Sequence, residues 1–183
     1  MPFWSVEPIL QRWRIMRIVP YFPYGGTHLD IGCDSPPVLI NQVHERMKKC
    51  IGVDIAVKPK KYENVEIRQM DLQKKVNLPS NSVEVITMLA VLEHLKYPGT
   101  IVSECYRILK PGGVILITVP SPQNEPVLKL FALLRFVRPE MIDQHENYFT
   151  KNELGKLMQK VGFRNISISL FELGLNTFAK AVK

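Results

Sequence analysis

A chain of 183 residues with 46% apolar side chains is long enough for one domain with a sizeable core, and it holds no uncharged apolar run of membrane-spanning length. A formal net charge of +7 favours anionic partners without choosing among nucleic acid, acidic lipid headgroups and phosphorylated metabolites. The basic residues fall in short clusters (Lys48-Lys49, Lys58, Lys60-Lys61, Lys74-Lys75) that read as solvated surface, and Cys33, Cys50 and Cys105 lack the spacing of a disulfide framework or a zinc site, so no metal and a reducing cytoplasmic home are expected.

Residues 5–18 place Val6, Ile9, Leu10, Trp13 and Met16 on one helical face, with Arg12, Arg14 and Arg17 mostly off it and Ser5 as N-cap. Packing of this face across the domain is the expected role, with a lid or a membrane-surface contact as the alternative. VPYFPYGG then breaks the helix, so residues 1–24 form an N-terminal helical cap. HLDIG reads as a short strand. After the loop that follows it, a helix is expected from Pro36 to Lys48, capped by Ser35 with Pro36 at its first position. CIGVDI is a second strand, a Lys-rich connection leads to a third, NVEIRQM, and VEVITM is a fourth that runs on into LAVLEHL. PGTIVSECYRILKPGG is a helix ended by Pro111-Gly112-Gly113, and VILITVP is a fifth strand, nearly all apolar as when helices cover both faces of a sheet. FTKNELGKLMQKVG carries Thr150 and Glu153 as a capping box, Phe149 and Leu154 as a staple and Gly162 as the stop. FRNISISLF and LNTFAKAVK lie too close together for a crossover and must form an antiparallel hairpin. The long irregular stretch, residues 120–148, holds the apolar run VLKLFALLRFV; this lid-like insert packs internally, meets an apolar substrate or touches a membrane.

The alternation of strand and helix specifies one domain built on a doubly wound, mostly parallel α/β sheet, whose ligands bind at the carboxyl ends of the strands. Three of those ends deliver an acid: Asp30, just before Gly32, then Asp54, then Asp71. Asp54 stands where an acid accepts hydrogen bonds from a ribose diol and repels a phosphorylated ribose. Asp71 can accept from an exocyclic amine, with Met70 and Leu72 as apolar walls, and Asp30 can pair with a ligand ammonium or hold the amides of its loop. The set describes a cationic, amine-bearing adenosine better than a pyrophosphate dinucleotide. A single Asp after a strand is more often a cap or a solvated loop residue; three at successive strand ends favour binding.

On these residues the chain resembles the class I S-adenosylmethionine-dependent methyltransferases, especially the small-molecule group called type 11. HLDIGCDSP matches the first motif, GVDI the acidic second, QMDLQ the third, VEVITMLAVLEHL the fourth and ECYRILKPGGVILITVP the fifth, and the likeness runs from Thr27 to Lys183. The resemblance implies a Rossmann-like, seven-stranded sheet of order 3-2-1-4-5-7-6 with the seventh strand antiparallel. It also implies S-adenosylmethionine as methyl donor, with S-adenosylhomocysteine as product. By position, Asp30, Gly32, Cys33 and Asp34 would border the methionine moiety, Asp54 and Ile55 the ribose, Met70, Asp71 and Leu72 the adenine, and Leu89 and Ala90 the cofactor beyond the fourth strand.

The sequence departs from that pattern in three places. Asp34 and Pro36 replace the second and third glycines of Gly-Cys-Gly-x-Gly, and Ala90 stands where an acid is frequent. Asp tolerates a left-handed backbone, so the turn is expected to survive. The Pro36 ring and the Asp34 charge beside the cofactor's carboxylate are expected to weaken its binding.

Methyl transfer from a sulfonium needs in-line positioning and exclusion of water, and a base only where the nucleophile carries a proton of high pKa. His94 and His145 are the candidate bases; each is otherwise a surface or capping histidine. The expected function is methyl transfer to a small, hydrophobic acceptor, with transient membrane-surface contact as a further role. A catalytically weak or inactive methyltransferase-fold binding or regulatory protein is the alternative, carried by Asp34 and Pro36. An RNA methyltransferase is the second alternative, carried by net charge and opposed by the missing Asn/Asp-Pro-Pro-aromatic motif after the fourth strand, so nucleic acid is not an expected partner.

Overall fold

A computed structural model describes residues 7–72, 75–122 and 147–183. In chain order the strands are β1 (Thr27–Ile31), β2 (Lys49–Asp54), β3 (Lys60–Tyr62), β4 (Val65–Gln69), β5 (Val83–Leu89), β6 (Leu109–Pro120), β7 (Arg164–Phe171) and β8 (Asn176–Val182), and the helices are α1 (Glu7–Ile18), α2 (Val38–Val43), α3 (Pro98–Ile108) and α4 (Lys151–Val161). The eight strands form one sheet of order β3-β4-β2-β1-β5-β6-β8-β7. β4, β2, β1, β5 and β6 run parallel; β8 is antiparallel to both β6 and β7.

The expected order is therefore present, with one strand added at the edge. β3 comes from the Lys-rich connection and pairs antiparallel with β4, Tyr62 opposite Val65. Three residues are too few to show a period in sequence. Glu66 on β4 gathers Lys49, Lys61 and Arg68 at 3.0, 3.3 and 3.0 Å, and the Tyr62 hydroxyl donates to Asn41 Oδ1 at 2.9 Å. A short, lysine-bearing edge strand of this kind discourages further strand pairing.

Helices cover both faces, so the buried residues of β1, β2, β5 and β6 are mostly apolar, with His28, Asp30, Thr87 and Thr118 as buried polar exceptions. On one face Ile101, Cys105 and Ile108 of α3 and Leu154 and Met158 of α4 pack on Leu29, Ile31, Ile86 and Ile117. On the other, Ile15 and Ile18 of α1 and Ile40 and Val43 of α2 pack with Val85, Leu116 and Phe178. Each such fully buried aliphatic side chain contributes about 1.5–3 kcal/mol. α4 starts as its sequence demands: Glu153 N–H donates to Thr150 Oγ1 at 3.2 Å, Thr150 N–H donates to Glu153 Oε2 at 2.9 Å, and Gly162 closes the helix at φ +114°.

Three local expectations are corrected. α1 buries Ile15, Ile18 and Arg14, whereas Ile9, Trp13 and Met16 are 55, 47 and 62% exposed. The helix has two apolar stripes, and the choice between them is made by Arg17, which donates to Ser169 Oγ at 2.9 Å and lies over the Phe178 ring at 4.8 Å. Ser5 and Val6 lie outside the described residues. α2 begins at Val38 with Pro37 as N-cap and no side-chain cap, then tightens into a single 3-10 turn, His44–Arg46. Pro36 precedes another proline and is thereby turned away from helical backbone, so Ser35 cannot cap the helix. α3 ends at Ile108 and β6 starts at Leu109, so Pro111-Gly112-Gly113 belong to the strand.

Candidate functional site

β1 and β2 end side by side, and the loop after β1 folds over both. Gly32 N–H and Cys33 N–H donate to Val53 O at 2.8 and 3.3 Å, and Asp34 N–H donates to Asp54 Oδ2 at 3.3 Å. The second Asp54 oxygen, Oδ1, accepts from Ala56 N–H at 2.8 Å. Asp54 thus pins both loops at this edge while each oxygen keeps lone-pair capacity for a further donor. β4 delivers the next residues to the same edge: Met70 N–H donates to Asp54 O at 2.8 Å, and half-buried Asp71 and Leu72 follow it. Ile55 is 61% exposed just beyond Asp54.

The loop turns through two left-handed residues, Gly32 at φ +75° and Asp34 at φ +60°. A Cβ on Gly32 would stand 2.2 Å from Val91 Cγ2, so the second residue after β5 closes over the turn. Asp34 supplies the left-handed backbone that a glycine would otherwise supply, and its Oδ1 accepts from Ser35 N–H at 2.7 Å. That bond directs the Asp34 charge into its own turn. The Ser35–Pro36 peptide is cis. A cavity of about 350 Å³ opens on the β3 side of the loop, walled by Asp34, Pro36, Asn41, Lys58, Lys60 and Tyr62.

Asp30 is 3% exposed. Burial pushes its carboxyl up to about 7, a hydrogen bond from Thr87 pulls it down, and the charge of Asp54 pushes it up further. Cys33 is buried beside these acids, and burial, then the charges of Asp30, Asp54 and Asp34, push its thiol up to about 12. It is a packing group against the loop, not a nucleophile.

β5 supplies the far wall. Ala90, after half-buried Leu89, has φ +54° and donates to Thr118 O at 2.9 Å. A single 3-10 turn follows, Leu92–His94, in which Leu92 and Glu93 are buried and His94 is half-buried. Both stems of the insert arrive at this edge: Ser121 donates to Leu175 O (2.9 Å, N–H) and Gly174 O (2.6 Å, hydroxyl), and Asn147 donates to Glu93 O (3.0 Å, N–H) and Leu95 O (2.9 Å, side chain). His145 and the run VLKLFALLRFV lie outside the described residues.

The fold thus carries Asp30, Gly32, Cys33, Asp34, Asp54, Ile55, Met70, Asp71, Leu72, Leu89, Ala90 and His94 to one edge of the sheet, on four successive strand ends. Their chemistry fits a cofactor with a cationic end and a ribose diol: carboxyl groups for the first, a doubly anchored carboxylate for the second. Two polar residues escaped sequence reasoning, His28 and Thr87. Both are fully buried beneath Asp30; the signal for them was a polar side chain inside an otherwise apolar strand.

The family profile described as a methyltransferase domain matches residues 9–168. A probable S-adenosylmethionine-dependent methyltransferase of Mycolicibacterium smegmatis is 32% identical over 126 residues, 63% of this chain and 44% of that protein. A ubiquinone biosynthesis O-methyltransferase of Nitrosococcus oceani is 30% identical over 119 residues, 60% of this chain and 49% of that protein. These matches span about half the length of those relatives. Among solved structures, a SAM-dependent methyltransferase of Archaeoglobus fulgidus has the same fold, with a TM-score of 0.72, 21% identity and coverage of 96% of this chain and 94% of that one.

Proposed function

The chain belongs to the class I S-adenosylmethionine-dependent methyltransferase family, and on that premise we propose that it transfers a methyl group to a small, apolar acceptor. The observation that carries the reading is the Asp54 carboxylate, fixed by Ala56 N–H and Asp34 N–H at the joint mouth of β1 and β2. S-adenosylmethionine, when bound, supplies a methyl group activated on a sulfonium. The chain's own residues bind, orient and shield. Asp54 accepts the ribose hydroxyls, Asp71 accepts the adenine amine between Met70 and Leu72, and Asp30 faces the cationic methionine end. Ile55, Leu89 and Ala90 supply apolar wall, which raises the weight of each charge they enclose.

The name of the Nitrosococcus relative supports a hydroxyl acceptor. A hydroxyl of high pKa needs a base as it attacks; His94, in the 3-10 turn beyond β5, is the candidate for that role, with His145 as the other. Ile9, Trp13 and Met16, exposed on α1 beside exposed Arg12, support contact with a lipid surface from which an apolar acceptor is drawn. The ordered Asp34 turn favours cofactor binding over an inactive fold.

Calorimetric titration with S-adenosylmethionine and S-adenosylhomocysteine tests the reading, followed by transfer of labelled methyl to a panel of phenols bearing alkyl chains. Binding of both nucleosides with turnover on the longer-chain phenols is expected. Absence of heat at millimolar nucleoside overturns it.

A further inference from the structure

Beneath the loop, three polar side chains form a closed line inside the sheet. Asp30 and Thr87 are direct partners across the parallel β1–β5 ladder, and His28 lies two residues before Asp30, on the same face of β1. The Thr87 hydroxyl is 2.5 Å from Asp30 Oδ1, and His28 Nε2 is 2.7 Å from Thr87 Oγ1. His28 and Thr87 are 0% exposed. The Phe22 ring closes on His28 edge to face, centroids 4.8 Å apart.

A hydroxyl has one proton to give and can accept two. His28 Nδ1 is buried without a hydrogen-bond partner, and a buried N–H left unpaired is the rarer and costlier state. The imidazole therefore carries its proton on Nε2 and donates it to Thr87 Oγ1. That fixes the direction of the line: Thr87 must spend its only proton on Asp30. We propose that His28 and Thr87 are positioning residues for S-adenosylmethionine, a buried donor relay that favours the ionised form of Asp30 and aims it at the cationic methionine end of the cofactor. This rests on the methyltransferase reading of the same edge.

The titratable groups around Asp30 are His28 on its own strand, Cys33 and Asp34 in the loop, and Cys50 and Asp54 on β2. Burial pushes both thiols up to about 12, so they stay neutral across the working range. Burial holds His28 down near 3, so it also stays neutral. Asp54 opposes ionisation of Asp30; the Thr87 hydroxyl is the group that favours it. A cation binds the carboxylate and not the acid, so affinity rises with pH as Asp30 ionises.

The test is calorimetric affinity for S-adenosylmethionine from pH 6 to 9, with His28 tautomer read by nitrogen-15 NMR in the unaltered protein. Wild type should tighten as pH rises through about 7. Thr87→Val, which keeps shape and removes the hydroxyl, should move that midpoint upward by about one unit or more and weaken binding at pH 7 by about fivefold or more. Thr87→Ser should restore the wild-type profile, and Asp30→Asn should abolish the pH dependence. The NMR spectrum should show the proton on Nε2 at pH 8. An unchanged profile in Thr87→Val overturns the relay, and so does a proton on Nδ1, which needs no variant to fold. If wild type and all variants fail to bind, the methyltransferase reading itself falls.

Discussion

Asp34 gives its backbone N–H to the carboxylate of Asp54 at 3.3 Å, so the residue that replaces a motif glycine is tied to the residue that would hold the ribose. The loop and the end of β2 are one unit. Damage to either side of that bond should register in both fold stability and cofactor affinity, but in different proportions.

Asp54→Ala removes the acceptor for Asp34 N–H and Ala56 N–H together with the charge offered to the ribose. Hydrogen bonds to a charged group are worth about 1.5–3 kcal/mol, so affinity for S-adenosylmethionine should fall about ten- to a hundredfold. The loop amides are exposed and can turn to water, so the urea midpoint should move by the equivalent of about 1 kcal/mol or less. A large stability loss with unchanged affinity would reverse the assignment.

At Asp34 the backbone and the side chain make separable contributions. Asp34→Gly keeps the left-handed turn and removes the charge, so stability should hold within about 0.5 kcal/mol while affinity for the cofactor rises about two- to fivefold. Asp34→Ala has neither the freedom of glycine nor the carboxylate that accepts from Ser35 N–H, and should cost about 1–2 kcal/mol. Urea unfolding and calorimetry on the two variants separate the effects.

How much of this was legible beforehand depended on whether the deciding contact was local. The α4 start was legible because Thr150 and Glu153 decide it between themselves. The left-handed turn at Asp34 was legible because Asp is a side chain that tolerates it. The parallel sheet was legible because strand and helix alternate, and its strand order only through the resemblance that the motifs carry. The buried face of α1 was not, since periodicity finds Ile9, Trp13 and Met16 as readily as Ile15 and Ile18, and the choice belongs to Ser169 and Phe178 at the far end of the chain. The Ser35 cap fails for a local reason, the second proline. The line through His28, Thr87 and Asp30 was not legible, because only the β1–β5 register brings the two strands' polar residues together.

Gly32 tests how tightly Val91 closes the loop. Gly32→Ala places a methyl 2.2 Å from Val91 Cγ2 at φ +75°. Left-handed alanine and overpacking together should cost about 2–4 kcal/mol. In Gly32→Ala/Val91→Ala the clashing methyl is gone and only the backbone cost remains, so the double variant should recover about 1 kcal/mol or more relative to additivity. Additive losses would show that Val91 does not close the turn.

The pair His28 and Asp30 also predicts a pH dependence of stability that is hidden in the wild type. Asp30 has its folded pKa raised from 3.8 to about 7, so the folded protein keeps a proton that the unfolded chain releases, and stability falls as pH rises through that window. His28 has its folded pKa lowered from 6.5 to about 3, so the unfolded chain takes up a proton that the folded protein refuses, and stability falls as pH drops through its window. Between about pH 4 and 6.5 the folded state gains one proton at Asp30 and forgoes one at His28, and the two slopes cancel. Each alone is about 1.4 kcal/mol per pH unit. Relative to wild type, Asp30→Asn should therefore lose stability on acidification from pH 6.5 to 4, whereas His28→Gln should lose it on the opposite excursion, from pH 4 to 7. Other carboxylates contribute equally to all three proteins and drop out of the differences. Urea midpoints of the three proteins across that range should diverge in opposite directions; curves that stay parallel would mean that the two groups do not change protonation on unfolding.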